Sequence, residues 1–538
     1  MLKVYLLLIL STVGLFIFSQ NSSVTAQSTL VQRPKLVVGI VVDQMRWDYL
    51  YRYNARYAEN GGFKRLLSQG FSCENTLIPY APTVTACGHT CIYTGSVPAI
   101  SGITGNNWWD YNQNKLLYCT EDAQVKTIGS NTESGQMSPK NLLVTTIGDE
   151  LRLATNFRSK VVGIAIKDRG AILPAGHSAN GAYWYDSKTG DWISSTYYLS
   201  ELPAWVKEFN AKKLVDKYYN QDWNTLYPLA TYEQSAPNIR EFPRNLKQYA
   251  GKNYSQISAT PYGNSFTFDM AKAAISAEQL GADSYTDLFT ISLSSPDYIG
   301  HAYGPSSVEA EDGFLRLDKD LGDFLTYLDE KVGKGEWLVF LTADHGAANV
   351  PAFLNEHKIP AGNFDNEKVT DALNQFLFEF FQVKELAIGI INYQVYLDRN
   401  ALKIKNLNKD SVYAKVIDFL LQNPTVDRAF AIDKLSATTL NSKIKEVFAN
   451  GIYPSRSGDI QIIHHPQFID GFLKGGTTHG GWNPYDTHIP FILSGWKIKP
   501  GKSYREVYMT DIAPTIAAML QIQMPSGSVG KVIEEVMK

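Results

Sequence analysis

The sequence predicts an α/β fold: an open central sheet flanked by helices on both faces, with inserted cap segments. Two observations carry this reading. Five short runs are almost continuously apolar and rich in β-branched residues, as strands covered on both faces tend to be. Amphipathic stretches lie between them, so strand and helix alternate along the chain. A third observation says where a site would lie. Acids and histidines stand directly after several of the runs, and open α/β sheets collect ligands at the carboxyl ends of their strands.

The elements follow in order. Residues 1–26 read as a secretory signal: a basic start at Lys3, an apolar run from Val4 to Phe18, and small residues at Val24 and Ala26 before Gln27. The run is short for a membrane span, and an uncleaved anchor is the alternative. No cysteine follows as a lipid-attachment site, and no later run has spanning length. The mature chain is therefore expected to be periplasmic or secreted, with no transmembrane segment after signal cleavage. Residues 27–538 read as a single domain. Strands are predicted at 35–43, 160–166, 287–295, 336–344 and 489–495, and an amphipathic helix at 308–332. Two regions break the rhythm. Residues near 170–265 are rich in Tyr, Trp, Asn, Gly and Pro, with a hairpin at 180–192, and residues 351–470 suggest a smaller α+β segment. Both are expected to be insertions capping the sheet.

Composition sets outer bounds. With 538 residues, 44% hydrophobic and 19% charged, the chain can bury a large core. Its net charge of -3, without a Lys/Arg run, leaves no nucleic-acid footprint. The four cysteines, Cys73, Cys87, Cys91 and Cys119, are even in number and destined for an oxidising compartment, which favours disulfides in any of three pairings. No C-x-x-C pair is present for a thiolate zinc site.

The strand ends carry metal-ligand types. The first run ends at Asp43, the third is followed by Asp297 and His301, and the fourth ends in Asp344 and His345. His479 stands in the Gly-rich stretch GGTTHGGWNP. Asp297 and His301 are four apart, so one helical turn puts them on one face. Mixed Asp/His sets without Cys suit catalytic zinc with open positions for water or substrate. Taken singly, each has a plainer reading, an N-cap or turn acid for the Asp and a hydrogen-bonded residue for the His. The argument rests on their co-occurrence among only nine His.

A nucleophile is to be sought in APTVTACGHT, residues 81–90, which offers Thr83, Thr85, Thr90, Cys87 and His89. A free hydroxyl is a poor nucleophile near neutral pH and needs activation. Together VVDQMRWDYL, PTVTACGHTCIYTG, SPDYIGHAYGP, TADHG and THGGWNPYDTHIPFILSG resemble the alkaline phosphatase superfamily, in particular its single-chain, phosphate-irrepressible branch of the PafA type. The ordered set spans residues 36 to about 515.

The resemblance implies two zinc ions, one held by Asp297, His301 and His479, the other by Asp43, Asp344, His345 and the oxygen of Thr85, which becomes the nucleophile. The segment after Thr85 would start a helix whose N-terminal N–H groups favour a phosphoryl group. Family members often carry Pro where this chain has Cys87. A sulfatase would need C-x-P/A-x-R, and Cys87 instead starts Cys-Gly-His-Thr-Cys, so Cys87 and His89 are expected to be structural.

The resemblance also assigns Lys167, Arg169 and Asn106 to the phosphoryl oxygens, with the adjacent Asn107 as an alternative to Asn106. Lys167 and Arg169 are expected on one side of an extended segment; without the resemblance they read as a solvated loop. Two cations suit the dianion of a monoester, and related diesterases lack this K-x-R. The expected function is a phosphate monoester hydrolase acting through a phosphothreonine, with small monoesters as substrates and a monomer as the family form. The alternatives are a phosphodiesterase of the same superfamily, a phosphomutase, and a secreted binding protein that has lost catalysis.

Overall fold

The computed structural model describes residues 32–233, 241–471 and 476–537. The signal segment expected at 1–26 lies outside the described residues. The central sheet contains ten strands among the described residues: β1 (Leu36–Val42), β2 (Phe71–Cys73), β3 (Thr127–Ile128), β4 (Val161–Ala165), β5 (Gly181–Asp186), β6 (Asp191–Ser195), β7 (Asp287–Leu293), β8 (Trp337–Thr342), β9 (Phe491–Gly495) and β10 (Gly501–Ser503). Their spatial order is β10-β2-β9-β8-β1-β7-β4-β5-β6-β3. All five runs read from the sequence as strands lie in this sheet.

The strands β8, β1, β7, β4 and β5 run parallel. Every residue of β1, β4, β7 and β8 is buried. Because side chains alternate across a strand, burial of all of them means that both faces are covered. The covering helices include α1 (Thr85–Thr94), α2 (Asp168–Ala175), α3 (Ser295–Tyr303) and α4 (Val308–Leu328). The last of these carries the amphipathic stretch predicted at 308–332, whose final residues continue as a π-helical turn. The fifth predicted strand, β9, runs antiparallel to β8, pairing Leu341 with Ile492, so the sheet is mixed.

The aromatic hairpin predicted at 180–192 is not a cap. Its first strand, β5, extends the parallel sheet by pairing Ile164 with Tyr183 and Ala165 with Trp184. Trp184 and Trp192 are buried, so the aromatic enrichment serves the core. Residues 387–464 build a second sheet, ordered Ala387–Ile391, Gln394–Leu397, Ile460–His464 and Val426–Ala431. It has its own apolar cluster, with Leu373 and Leu377 from one helix and Val412 and Val416 from another packed on Val395 and Ile460.

The four cysteines are buried and unbridged, against the expectation of disulfides. Each lies in a packed interior position, and Cys87 donates its S–H to the carbonyl of Ile103 at 3.2 Å. Burial pushes the Cys87 thiol well above its ordinary pKa, so it stays protonated and unreactive.

Candidate active site

The parallel strands deliver their carboxyl ends to one edge of the sheet. β1 lies between β7 and β8, with Val42 level with Leu293 and Val41 level with Thr342. The next residue on each side is therefore a neighbour in space. Asp43 follows β1, Asp344 and His345 follow β8, the helix α3 follows β7, and Lys167 follows β4.

Asp297 and His301 lie one turn apart on α3, with His301 Nε2 3.2 Å from Asp297 Oδ1. His479 Nε2 lies 3.5 Å from the same oxygen. Each site histidine is oriented through its other nitrogen. His301 Nδ1–H donates to the Thr477 carbonyl at 2.8 Å, His479 Nδ1–H to Thr83 at 2.7 Å, and His345 Nδ1–H to Gly346 at 3.0 Å. With Nδ1–H so engaged, Nε2 faces the site, and in the neutral imidazole it carries the lone pair, the arrangement used by metal-ligating imidazoles.

On the other side of Asp297, Asp344 Oδ1 accepts two backbone N–H bonds, from Gln44 at 3.1 Å and His345 at 3.0 Å. Its Oδ2 is thereby directed inward, 3.4 Å from His345 Nε2, which in turn lies 3.7 Å from Asp43 Oδ1. Asp344 Oδ2, His345 Nε2 and Asp43 Oδ1 are buried and make no hydrogen bond; His89 Nδ1, 3.3 Å from Asp344 Oδ2, is engaged with the Thr85 carbonyl at 2.9 Å. Buried polar atoms are nearly always paired, and three converging lone pairs with no donor among them suit a cation.

The donor sets therefore fit metal ions. Ligand atoms of Asp297, His301 and His479 lie within 4.8 Å of one another, and so do those of Asp43, Asp297 and His345. All six residues read from the sequence as ligands meet in one cluster. Asp297 belongs to both groups, a sharing that spacing along the chain did not reveal.

Lys167 crosses this cluster. Its Nζ lies 2.7 Å from Asp43 Oδ2, 2.5 Å from Asp297 Oδ2 and 3.4 Å from Thr85 Oγ1. Burial alone would deprotonate it, but Asp297 and Asp43 outweigh burial and raise its pKa. Burial raises Asp43, helped by Asp344. Burial opposes ionisation of Asp297 too, yet His301 and Lys167 hold it well below the usual carboxylate range. Burial lowers His345 and His479, so both imidazoles are neutral, the state in which imidazole binds a metal.

Thr85 is the first residue of α1 and is buried. The helix reaches the cluster because Gly88 has no side chain: a Cβ there would meet the Asp344 carbonyl oxygen at 2.4 Å. Asn106 Oδ1 accepts from the Ala86 N–H at 3.0 Å, which leaves its amide N–H groups to donate at the helix start. Asn107 instead lies in a short hairpin strand. His89 is a support: Nδ1 lies 2.9 Å from the Thr85 carbonyl oxygen and Nε2 2.7 Å from Ser292 Oγ.

Lys167 and Arg169 do not sit on an extended segment. Lys167 is the N-cap of α2 and Arg169 lies in its first turn. Asp168 between them favours a helix start through the helix dipole and accepts hydrogen bonds from Tyr118 and Thr120. Arg169 Nη1 donates to Tyr118 Oη at 3.0 Å, while its Nε is buried without a partner. Both cations line a cavity of about 470 Å³, together with Tyr118, Tyr185 and Tyr298. Sequence reasoning missed Gln44, Tyr118 and Tyr298, none of which is an Asp or His of the expected ligand set. Gln44 and Tyr298 had one signal, their places directly after Asp43 and Asp297.

Comparisons with known proteins agree with this geometry. Residues 37–486 match the family described as type I phosphodiesterase / nucleotide pyrophosphatase. The chain is 55% identical to alkaline phosphatase PhoV of Synechococcus elongatus over 94% of each chain. It is 51% identical to a Myroides odoratus protein named calcium-transporting ATPase, over 94% of this chain and 95% of that one. The crystal structure of alkaline phosphatase PafA, the enzyme of Elizabethkingia meningoseptica, superposes with a TM-score of 0.92 at 48% identity, covering 94% of this chain and 100% of that one.

Proposed function

The chain belongs to the type I phosphodiesterase / nucleotide pyrophosphatase family and, within it, to the alkaline phosphatases of the PafA type, and from that premise we propose that it hydrolyses phosphate monoesters at a two-zinc site with Thr85 as nucleophile. The observation that carries the proposal is the meeting of Thr85 Oγ1, the Lys167 ammonium and the unpartnered ligand atoms at one sheet edge. Asp297, His301 and His479 would hold one ion, and Asp43, Asp344 and His345 the other. Zinc bound there would lower the pKa of a coordinated oxygen and offset negative charge developing on the attacking and leaving oxygens.

This chain's own residues do the rest. Thr85 loses its proton and attacks phosphorus in line as the P–O bond to the leaving group breaks; the leaving group departs as the protonated alcohol, and water hydrolyses the phosphothreonine to inorganic phosphate and free Thr85. Asn106 donates to an equatorial oxygen from beside the helix N-terminus, and Lys167 and Arg169 supply two positive charges. Those two cations separate the monoesterase reading from the diesterase reading, because a monoester dianion rewards a second cation more than a diester monoanion does. Residues 27–538 would act as one catalytic unit, exported by the signal at 1–26 to the periplasm or medium and working as a monomer on small phosphate monoesters.

The test is hydrolysis of an aryl phosphate monoester and of its methyl diester by purified, zinc-loaded protein. A large preference for the monoester is expected, and a preference for the diester would overturn the assignment. The name of the Myroides odoratus relative makes ATP a useful third substrate, since its terminal phosphoryl group would meet the same residues.

A further inference from the structure

Gln44 follows a metal-ligand residue, is itself no ligand type, and is held in an uncommon conformation. It is 3% exposed, and its φ is 63°, in the left-handed region that non-glycine residues avoid. Such a conformation costs about 1–3 kcal/mol and persists where its surroundings demand it. Here it sends the backbone and the side chain of one residue to two different acids. The backbone N–H donates to Asp344 Oδ1 at 3.1 Å. The side-chain amide donates from Nε2 to Asp297 Oδ1 at 2.6 Å, the oxygen that also faces His301 and His479. Space for the amide is reserved by Gly300 on α3, where a Cβ would meet Gln44 Oε1 at 1.8 Å.

We propose that Gln44 is a positioning residue that aligns both ligand groups at once, its N–H turning Asp344 so that Oδ2 faces His345, and its amide fixing the rotamer of Asp297. This rests on the two-zinc reading above. Hydrogen-bonded partners of ligating carboxylates hold the ligand in its binding orientation, and their loss typically weakens metal affinity 10- to 100-fold. A residue that holds the acids of both groups would make the binding of the two ions interdependent.

The experiment compares the full-length protein with Gln44→Asn, Gln44→Leu and Gly300→Ala. Zinc affinity is read by competition with a chromophoric chelator, and stability by thermal melting of the metal-stripped protein. Asn is one methylene shorter and falls short of Asp297, yet it tolerates the left-handed conformation better than Gln. Gln44→Asn is therefore expected to melt at or above the parent temperature while binding zinc about 10- to 100-fold more weakly. Gly300→Ala should weaken zinc binding in the same direction, and the double variant should be no worse than the weaker-binding single variant, because both changes act through one contact. A parent that takes up two zinc ions, with a Gln44→Asn variant that binds them equally tightly, overturns the positioning role alone. A parent that takes up no zinc overturns the two-zinc reading and this inference with it.

Discussion

The ammonium of Lys167 lies 2.7 Å from Oδ2 of Asp43, and this contact joins the second residue after β4 to the residue after β1 across the intervening strand β7. A buried cation among the acids at the strand ends can act on substrate charge, and Arg169 stands in the first turn of the helix that Lys167 caps. Lys167→Ala and Arg169→Ala should each lower kcat/KM for a monoester by about 10²–10³-fold. Diester hydrolysis should fall less, because it presents one charge fewer. Steady-state kinetics on both substrates, with metal content measured in parallel, decide the matter, and equal losses would remove the dianion role.

Thr85 and Cys87 lie within one turn of α1, yet only Thr85 Oγ1 reaches Lys167. Thr85→Ala should lower turnover by at least about 10³-fold while zinc is retained. Cys87→Ala should leave kcat within a few-fold of the parent, since its thiol is bonded to the Ile103 carbonyl and faces the interior. Full activity of Thr85→Ala in a monoester assay would sink the nucleophile assignment.

The four buried thiols are unbridged. Protein unfolded without reductant and treated with an alkylating agent should gain four labels by intact mass, and reductant should leave the melting temperature unchanged. Two labels or none would mean that one or two disulfides form.

His177 and Asp149 provide a pH-dependent contact away from the cluster, with Nδ1 3.3 Å from Oδ2. The hydrogen bond to Asp149 raises His177. Burial opposes ionisation of Asp149, but His177, Thr146 and Ser178 outweigh it and lower its pKa. A raised histidine contributes stability that is complete below its unfolded pKa of about 6.5 and is lost as pH rises through the folded value. A lowered carboxylate contributes stability above about 3.9 that is lost as pH falls. The pair therefore stabilises from about pH 4 to somewhat above 6.5. His177 is about one-third exposed, so screening limits the effect to about 1 kcal/mol. In urea unfolding, His177→Gln should lose that amount at pH 5.5 and almost nothing at pH 9; equal losses at the two pH values would count against the pair.

Much of the fold was legible because buried parallel strands must be apolar on both faces, and β1, β4, β7 and β8 are. The six metal-ligand candidates were legible because Asp43, Asp344 and His345 follow strands closely, Asp297 and His301 are one turn apart in the helix after a strand, and His479 stands in a Gly-rich loop. The hairpin β5–β6 was legible as a hairpin, but its place in the central sheet was not, because aromatic, Gly-rich sequence suits a surface cap and a sheet strand equally. The helical start at Asp168 was missed because two cations flanking one Asp read as a charged loop.

By itself the sequence determined an α/β sheet and the identity of the acids and histidines near its strand ends, because these follow from local pattern and residue chemistry; the choice of Thr85 among the candidate nucleophiles came from the family resemblance. Only the tertiary structure decided that Asp297 lies within reach of both candidate ligand groups, that Lys167 lies among the acids rather than in solvent, and that Gln44 bonds to both Asp344 and Asp297. Those relations join residues about 120 to 300 positions apart, and such distances are set by strand order and register, which no local pattern encodes.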